Sequence, residues 1–576
     1  MQTNKKPTKN PKDVYPNVPG IDYDKIALKP EGMTEKERKE ALAMISAYEK
    51  KQHDSFLGYQ ANQAVDFQED LSQYMNYHVN NVGDPFVEGN FTVNSKFAER
   101  AVLDYFASLW HANWPHENAP IGGDAGEKEW LDSYWGYIVS MGCTEGNVYG
   151  MWNARDYLAG KFILPDAEYE ARKKKASAKG KAFNAAPDLM YYQAKTPDES
   201  PNAFKPIMFY SQDTHYSIVK ASRVLCITGF NEAGSGKYDC PLSFPEDYPA
   251  SFSETYLDNN GWPLEVPSNQ DGTICIPALA KLVEFFAAKG HPILVCFDYG
   301  TTFKGAYDNV EEAVKVLVPI LKRYGLYERN IVYDEKSGKY DTRTGYWFHV
   351  DGALGAAYAP FLEMMGKDVP KFDFRIPEIH SIAMSGHKWL GAPWPCGIYM
   401  TKVRYQLTPP SDPMYIGSPD STFAGSRNGL SPLIMWDYLA KNSYKDLMKK
   451  AQETEDMATY SYNELKKLEK ELGKDLWVEH TPYSLTVLFK KANPDLVFKY
   501  SLSGEDLYID GKKRSYSHIY MMENATKERI DRLLADLRKP GAFIEQEDEK
   551  EPDVEKLPKA NGARGVYIPH NGRGFK

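Results

Sequence analysis

The chain has 576 residues, 42% hydrophobic and 26% charged, and 69 Lys and Arg against 79 Asp and Glu leave a net charge of −10. That length allows two or more domains, or one large α/β core with a smaller appendage, and the acidic balance argues against a nucleic-acid binder, which carries a basic footprint. Six scattered cysteines without a C-x-x-C pair fit neither a disulfide framework nor a zinc site, the start lacks the apolar core of a secretory signal, and no apolar run reaches membrane-span length, so a cytoplasmic protein with reduced thiols and no metal is expected.

Residues 1–34, rich in Lys, Pro and Asn, read as an extended arm. From 35 to about 60, Ala41, Met44, Ile45 and Tyr48 recur at helical spacing, and Thr34-Glu35-Lys36-Glu37 forms a capping box at the start. Further helical patterns cover about 95–110 and about 148–158, the latter preceded by Thr144-Glu145-Gly146-Asn147. Segment 160–205 is Lys/Ala-rich, then Pro/Asn-rich, and reads as an exposed insertion or long loop. The middle alternates helix 278–289, apolar strand 292–297, loop Tyr299-Gly300-Thr301-Thr302 and helix 310–324 with strands at 346–350, 381–384 and 397–400. Such alternation predicts an α/β fold with a mainly parallel sheet buried on both faces. Beyond about 428, helices at 433–459 and 460–472, alternating runs at 484–489 and 516–521 and a last helix at 526–538 predict a smaller α+β domain. From 539 onward Gly, Pro and charge predict a poorly packed tail. The expected units are an N-terminal arm and helical segment (1–90), a large domain (91–428), a small domain (429–540) and a tail (541–576), with no internal repeat.

Ligands of parallel sheets sit beyond the carboxyl ends of the strands. Thr301, Asp351 and Ser385-Gly386-His387-Lys388 all fall just past predicted strand ends. Taken singly, Lys388 and Asp351 read as ordinary solvated charges; together they suit an aldehyde cofactor that carries a phosphate. Lys388 can form an imine with pyridoxal phosphate, Ser385 and His387 can donate to its phosphate, and Asp351 can keep the pyridine nitrogen protonated so that the ring acts as an electron sink. The turn at Thr144-Glu145 can present free N–H groups and a helix dipole to a phosphate, or be an ordinary N-cap. His215 can lie flat on an aromatic ring or be structural.

Five motifs occur in family order: Thr144-Glu145-Gly146-Asn147, His215-Tyr216-Ser217, Gly300-Thr301-Thr302, His349-Val350-Asp351-Gly352-Ala353 and Ser385-Gly386-His387-Lys388. They resemble the group II pyridoxal-phosphate-dependent amino acid decarboxylases of fold type I, over about residues 75–430. Asn80-Asn81-Val82-Gly83-Asp84-Pro85-Phe86 and Gly425-Ser426-Arg427-Asn428-Gly429 resemble the bacterial histidine-decarboxylase-like branch. The resemblance implies that Lys388 anchors the cofactor, Asp351 partners the pyridine nitrogen and His215 stacks on the ring. It implies that Thr144, Glu145 through its backbone, Ser385 and His387 contact the phosphate, with Thr301 and Ala353 near the ring. Gly352 departs from a common alanine, which bears on local packing only. A tyrosine on a loop after the lysine protonates the product in this family, often across a dimer interface, and Tyr415 is the nearest candidate. A homodimer is therefore expected. The segment 386–397 is nearer to members acting on apolar side chains, so methionine or a branched-chain amino acid is the expected substrate, with histidine or an aromatic amino acid as the alternative. Trp389 and Trp394 within it read as core more readily than as pocket. Aminotransfer, other lyase chemistry and a non-catalytic scaffold remain the competing readings.

Overall fold

The computed structural model describes residues 18–113, 130–165, 171–172, 174–176, 178–179, 189–407, 413–509 and 512–544. A six-stranded sheet forms the centre: β1 (Tyr134–Val139), β2 (Ile207–Phe209), β3 (Ile293–Asp298), β4 (Tyr346–Asp351), β5 (Ile379–Ser385) and β6 (Gly397–Lys402), in the spatial order β1-β6-β5-β4-β3-β2. Every residue of β3, β4 and β5 is buried. The side chains of β3 and β4 alternate between two cores. Val295, Phe297, Phe348 and Val350 join one, whereas Leu294, Cys296 and Trp347 join the other with Met151 and Ala154 of the helix Cys143–Leu158. That two-sided burial explains the continuous apolar runs. Each such Val, Leu or Phe contributes about 1.5–3 kcal/mol.

The helices Val310–Arg323 and Gly355–Met364 lie between β3 and β4 and between β4 and β5, and the β2/β3, β3/β4 and β4/β5 pairs are parallel. The register aligns Asp298 with Asp351 and Asp351 with Ala383, so the carboxyl ends of β3, β4 and β5 lie side by side. The sheet is thus mainly parallel, as expected, with an antiparallel edge: β6 is antiparallel to β5 and β1 is antiparallel to β6. A parallel return needs a long crossover, usually a helix. Residues 386–396 contain none, and Gly397 pairs directly with Ser385. The sequence pattern does not predict β1. Its Gly136 is required, because a Cβ there would meet Tyr399 O of β6 at 2.5 Å.

Several boundaries differ from expectation. A short helix, Tyr23–Ile26, interrupts the expected arm, and the helix expected from 35 to about 60 ends earlier, as Glu35–His53, though its Thr34/Glu37 capping box is present. In 160–205, Lys161–Pro165 pairs antiparallel with Leu189–Gln193, so the ends of this insertion form a hairpin; most of 166–188 lies outside the described residues. In the C-terminal part, the break falls at Asn442-Ser443 rather than at 459–460, giving helices Leu430–Lys441 and Tyr444–Leu472. The stripe Leu447, Ala451, Thr454, Ala458, Ser461, Leu465 runs unbroken through the expected break. A three-stranded sheet places Lys512–Tyr520 between Thr486–Lys490 and Ser503–Ile509. The N-terminal segment joins this sheet: Leu57 N donates to Tyr500 O at 3.0 Å and Tyr520 N donates to Leu57 O at 2.7 Å. The expected tail lies outside the described residues after 544. Among the described residues, no helix is long and apolar enough to cross a membrane and no cluster of side chains could hold a metal ion.

Candidate active site

The sheet register brings Asp351, Ala353 and Ser385 to one edge, facing the start of the helix Cys143–Leu158. The Thr144–Asn147 motif does not precede that helix, as the sequence suggested, but forms its first turns. Gly142 caps it with φ 70° and ψ −168°, a conformation open almost only to glycine. A Cβ at Gly142 would meet His387 Cε1 at 2.6 Å, so the turn lies directly against the His387 ring. Cys143 N donates to Ser385 Oγ at 3.2 Å, which ties the helix start to the end of β5.

Glu145 shapes this turn with its side chain. Its carboxylate accepts from Ser140 N at 2.8 Å, Met141 N at 2.9 Å and Tyr137 OH at 3.1 Å. Burial raises the Glu145 carboxyl above its ordinary value, opposed by those bonds and by Arg427. Its backbone N–H donates to Gly142 O at 3.0 Å, so any phosphate would share that donor. The Thr144 hydroxyl has no partner among the described residues.

Asp351 is buried and receives three donors: Asn147 Nδ2 at 2.7 Å on Oδ2, and Cys143 Sγ at 3.2 Å and Ala353 N at 3.1 Å on Oδ1. Burial keeps the Cys143 thiol protonated, with Asp351 adding to the effect, so the sulfur acts as a donor. Lys388 follows β5 and is half-buried, and its Nζ makes no hydrogen bond or ion pair with the described residues. Burial lowers its pKa below the ordinary lysine value, against the pull of Asp351 and Cys143. The Lys388 carbonyl accepts from Asn62 N at 3.1 Å, and Asn62 Nδ2 also donates to Trp389 O at 3.2 Å, so the N-terminal segment clamps the lysine loop.

His215 caps the helix Tyr216–Leu225, its Nδ1 lying 2.8 Å from Ser217 Oγ. Burial, with help from Lys388, lowers its pKa to about 4, against Asp351. Thr301 is buried, and its hydroxyl accepts from Ala306 N at 2.9 Å, which engages it within its own turn. Trp389 is 1% exposed and packs on Tyr358, as expected of a core residue, while Trp394 donates to Ser431 Oγ at 2.9 Å. Tyr415 is not brought to this site within the chain: it is 83% exposed.

Sequence reasoning assigned no role to Asn147, Ser217, His349, Cys143 or Asp298. Asn147 bonds to Asp351, Ser217 and His349. Asp298 accepts from Ser211 Oγ at 3.2 Å and from Thr214 Oγ1, which pins the turn leading into His215 to the end of β3. The available signal was a polar side chain, Asn147, one helical turn after Cys143 in a helix otherwise buried almost throughout.

The pyridoxal-dependent decarboxylase conserved domain matches residues 264–474. The L-methionine decarboxylase of Streptomyces sp. 590, solved with L-methionine methyl ester, is 42% identical, with 90% of this chain and 98% of that chain covered and a TM-score of 0.78. The chain belongs to the pyridoxal-dependent decarboxylase family. Serine decarboxylase 2 of Oryza sativa subsp. japonica is 28% identical over 86% of this chain and 75% of its own length. Histidine decarboxylase of Mesorhizobium japonicum is 26% identical, with 83% and 92% covered. The fold is therefore fold type I, pyridoxal phosphate is the cofactor and the protein is a carboxy-lyase, an amino acid decarboxylase. The residues present fit that cofactor. A half-buried lysine has no partner of its own, a threonine hydroxyl is unengaged at a helix start, and a glycine cradle lies against His387.

Proposed function

We propose that this decarboxylase acts on an apolar L-amino acid, methionine first and branched-chain amino acids next, releasing the amine and carbon dioxide. The observation that carries this reading is the 42% identity to the Streptomyces methionine decarboxylase across nearly the whole of both chains. The site assignments belong to the same proposal. Lys388 is the covalent anchor: burial favours its neutral amine, the form able to attack an aldehyde carbon. The first-turn amides, Thr144, Ser385 and His387 hold the phosphate, with the positive end of the helix Cys143–Leu158 behind it. Asp351, fixed by three donors, faces the ring nitrogen and stabilises its positive charge. His215 covers one ring face, and Thr301 and Ala353 border the ring. Bound pyridoxal phosphate supplies a protonated ring that takes up the electron pair left when the Cα–carboxylate bond breaks.

Tyr415 is assigned as the donor of the proton to Cα across a homodimer interface. Support comes from large side chains on two segments that bond to each other. Met75 (67%), Tyr77 (61%), Phe97 (62%), Met414 (93%) and Tyr415 (83%) are exposed, and Asn90 N donates to Ile416 O at 2.6 Å. Large apolar side chains left in water on linked segments are consistent with a covered interface. A cytoplasmic location and a boundary between 91–428 and 429–540 complete the reading. Purified enzyme incubated with each standard amino acid tests it: amine and carbon dioxide from methionine, valine or leucine support it. Turnover of histidine or tyrosine alone overturns the substrate assignment, and keto acid in place of amine overturns the reaction.

A further inference from the structure

We propose that Asn147 is a positioning residue that fixes His215 as a single neutral tautomer, with its proton on Nε2, and couples that histidine to Asp351. This role rests on the site reading above and is set by the donors and acceptors around the amide. Asn147 is wholly buried in the helix Cys143–Leu158. Its Nδ2 donates to Asp351 Oδ2 at 2.7 Å and to Ser217 Oγ at 3.0 Å, and its Oδ1 accepts from His349 Nε2 at 2.9 Å, with the Cys143 thiol, which lies closer to Asp351, 3.5 Å from the same oxygen. The opposite amide orientation is excluded, because it would set the carbonyl oxygen against the Asp351 carboxylate.

Directions then follow along the whole chain of bonds. Asn147 Oδ1 can only accept, so His349 carries its proton on Nε2. Its Nδ1, 2.8 Å from Ser381 Oγ, must therefore accept the Ser381 hydroxyl proton, while Ser381 Oγ receives Trp347 Nε1–H at 3.0 Å. On the other branch, Ser217 Oγ already accepts from Asn147, and its own proton goes to His215 Nδ1 at 2.8 Å. Ser217 N donates to the same nitrogen at 3.3 Å. Two donors converge on His215 Nδ1, so a proton there would face another donor. The hydrogen bonds run one way, from Trp347 through Ser381, His349 and Asn147 to Ser217 and His215. Such chains strengthen cooperatively in a buried setting. His215 Nε2–H has no partner among the described residues and is left to face a ligand. The same amide also satisfies Asp351, so the group assigned to the ring nitrogen and the group assigned to the ring face share one anchor.

The test uses full-length protein with ¹⁵N-labelled histidine, as purified with cofactor and after its removal, in wild type, N147L and S217A. Long-range ¹H–¹⁵N spectra, with H215N to assign the signal, read the tautomer directly. The wild type is expected to show His215 as the Nε2–H form alone in both states, and N147L a mixture of tautomers with pyridoxal phosphate affinity lower by about 10- to 100-fold, the fold-change that one lost hydrogen bond to a charged group corresponds to. S217A is expected to give mixed tautomers with a smaller loss of affinity, because Asn147 still holds Asp351. A single Nε2–H tautomer persisting in N147L, or in S217A if N147L does not fold, overturns the proposal. Wild-type protein that shows the tautomer but binds no pyridoxal phosphate would instead overturn the site reading beneath it.

Discussion

Replacing Glu99 with leucine removes the counter-charge of a guanidinium that has no access to water. Glu99 is 0% and Arg427 1% exposed at the side chain, and the two form a direct ion pair. Glu99 also accepts from Ile138 N at 2.8 Å and Asn81 Nδ2 at 2.8 Å, while Arg427 donates to Gly83 O at 3.0 Å and Ile138 O at 3.3 Å. The pair thus binds segment 80–86 and the loop 425–429 to β1, next to the turn proposed to hold the phosphate. Breaking one partner of a buried pair costs about 3–5 kcal/mol, because an uncompensated charge stays behind. Removing both leaves no such charge, so E99L/R427M is expected to cost clearly less than the sum of E99L and R427M, with a coupling of about 2 kcal/mol or more. Urea unfolding of the four proteins, compared at unchanged slope, measures the cycle. A loss below about 1 kcal/mol in E99L, or simple additivity in the double variant, would refute the reasoning.

G142A places a side chain on a glycine-only backbone conformation and against His387, so a stability loss of about 1–3 kcal/mol is expected. The same displacement of His387 should weaken pyridoxal phosphate binding at least about tenfold, the loss of one hydrogen bond to a charged phosphate, read by fluorescence titration of apoprotein. His349 is buried with a pKa lowered from 6.5 to about 4, chiefly by burial. The unfolded chain therefore takes up the proton first as pH falls. The stability His349 contributes is complete above about pH 6.5 and is lost progressively toward pH 4. H349N should flatten the stability–pH slope across that window by up to about one proton, and an unchanged slope would show that His349 is charged in the folded state.

What could be read in the sequence follows from where each element sits. β3 and β4 were legible because both faces are covered, which forces a continuous apolar run. The strand Ser503–Ile509 escaped notice because it is a sheet edge, only one of its residues is buried, and its sequence is correspondingly polar. β1 carries a glycine required by close approach to β6, and glycine is read as a strand breaker. Lys388, Asp351 and Ser385 stood out because they lie at, or within three residues of, the carboxyl ends of β4 and β5. The Asn147 network did not, since its bonds join residues 70 and 204 positions apart. Tyr415 shows the converse limit: the sequence offers it only as the nearest tyrosine on a loop after the lysine, and a single chain leaves it at the surface.

The central claim is that Lys388 holds pyridoxal phosphate covalently in an amino acid decarboxylase. Borohydride reduction of the purified enzyme, followed by proteolysis and mass spectrometry, tests it most directly. The account predicts a reduced pyridoxyl phosphate adduct on Lys388 alone, with loss of the visible absorption band. An adduct on another lysine, or none on a protein that still releases amine and carbon dioxide, would contradict it.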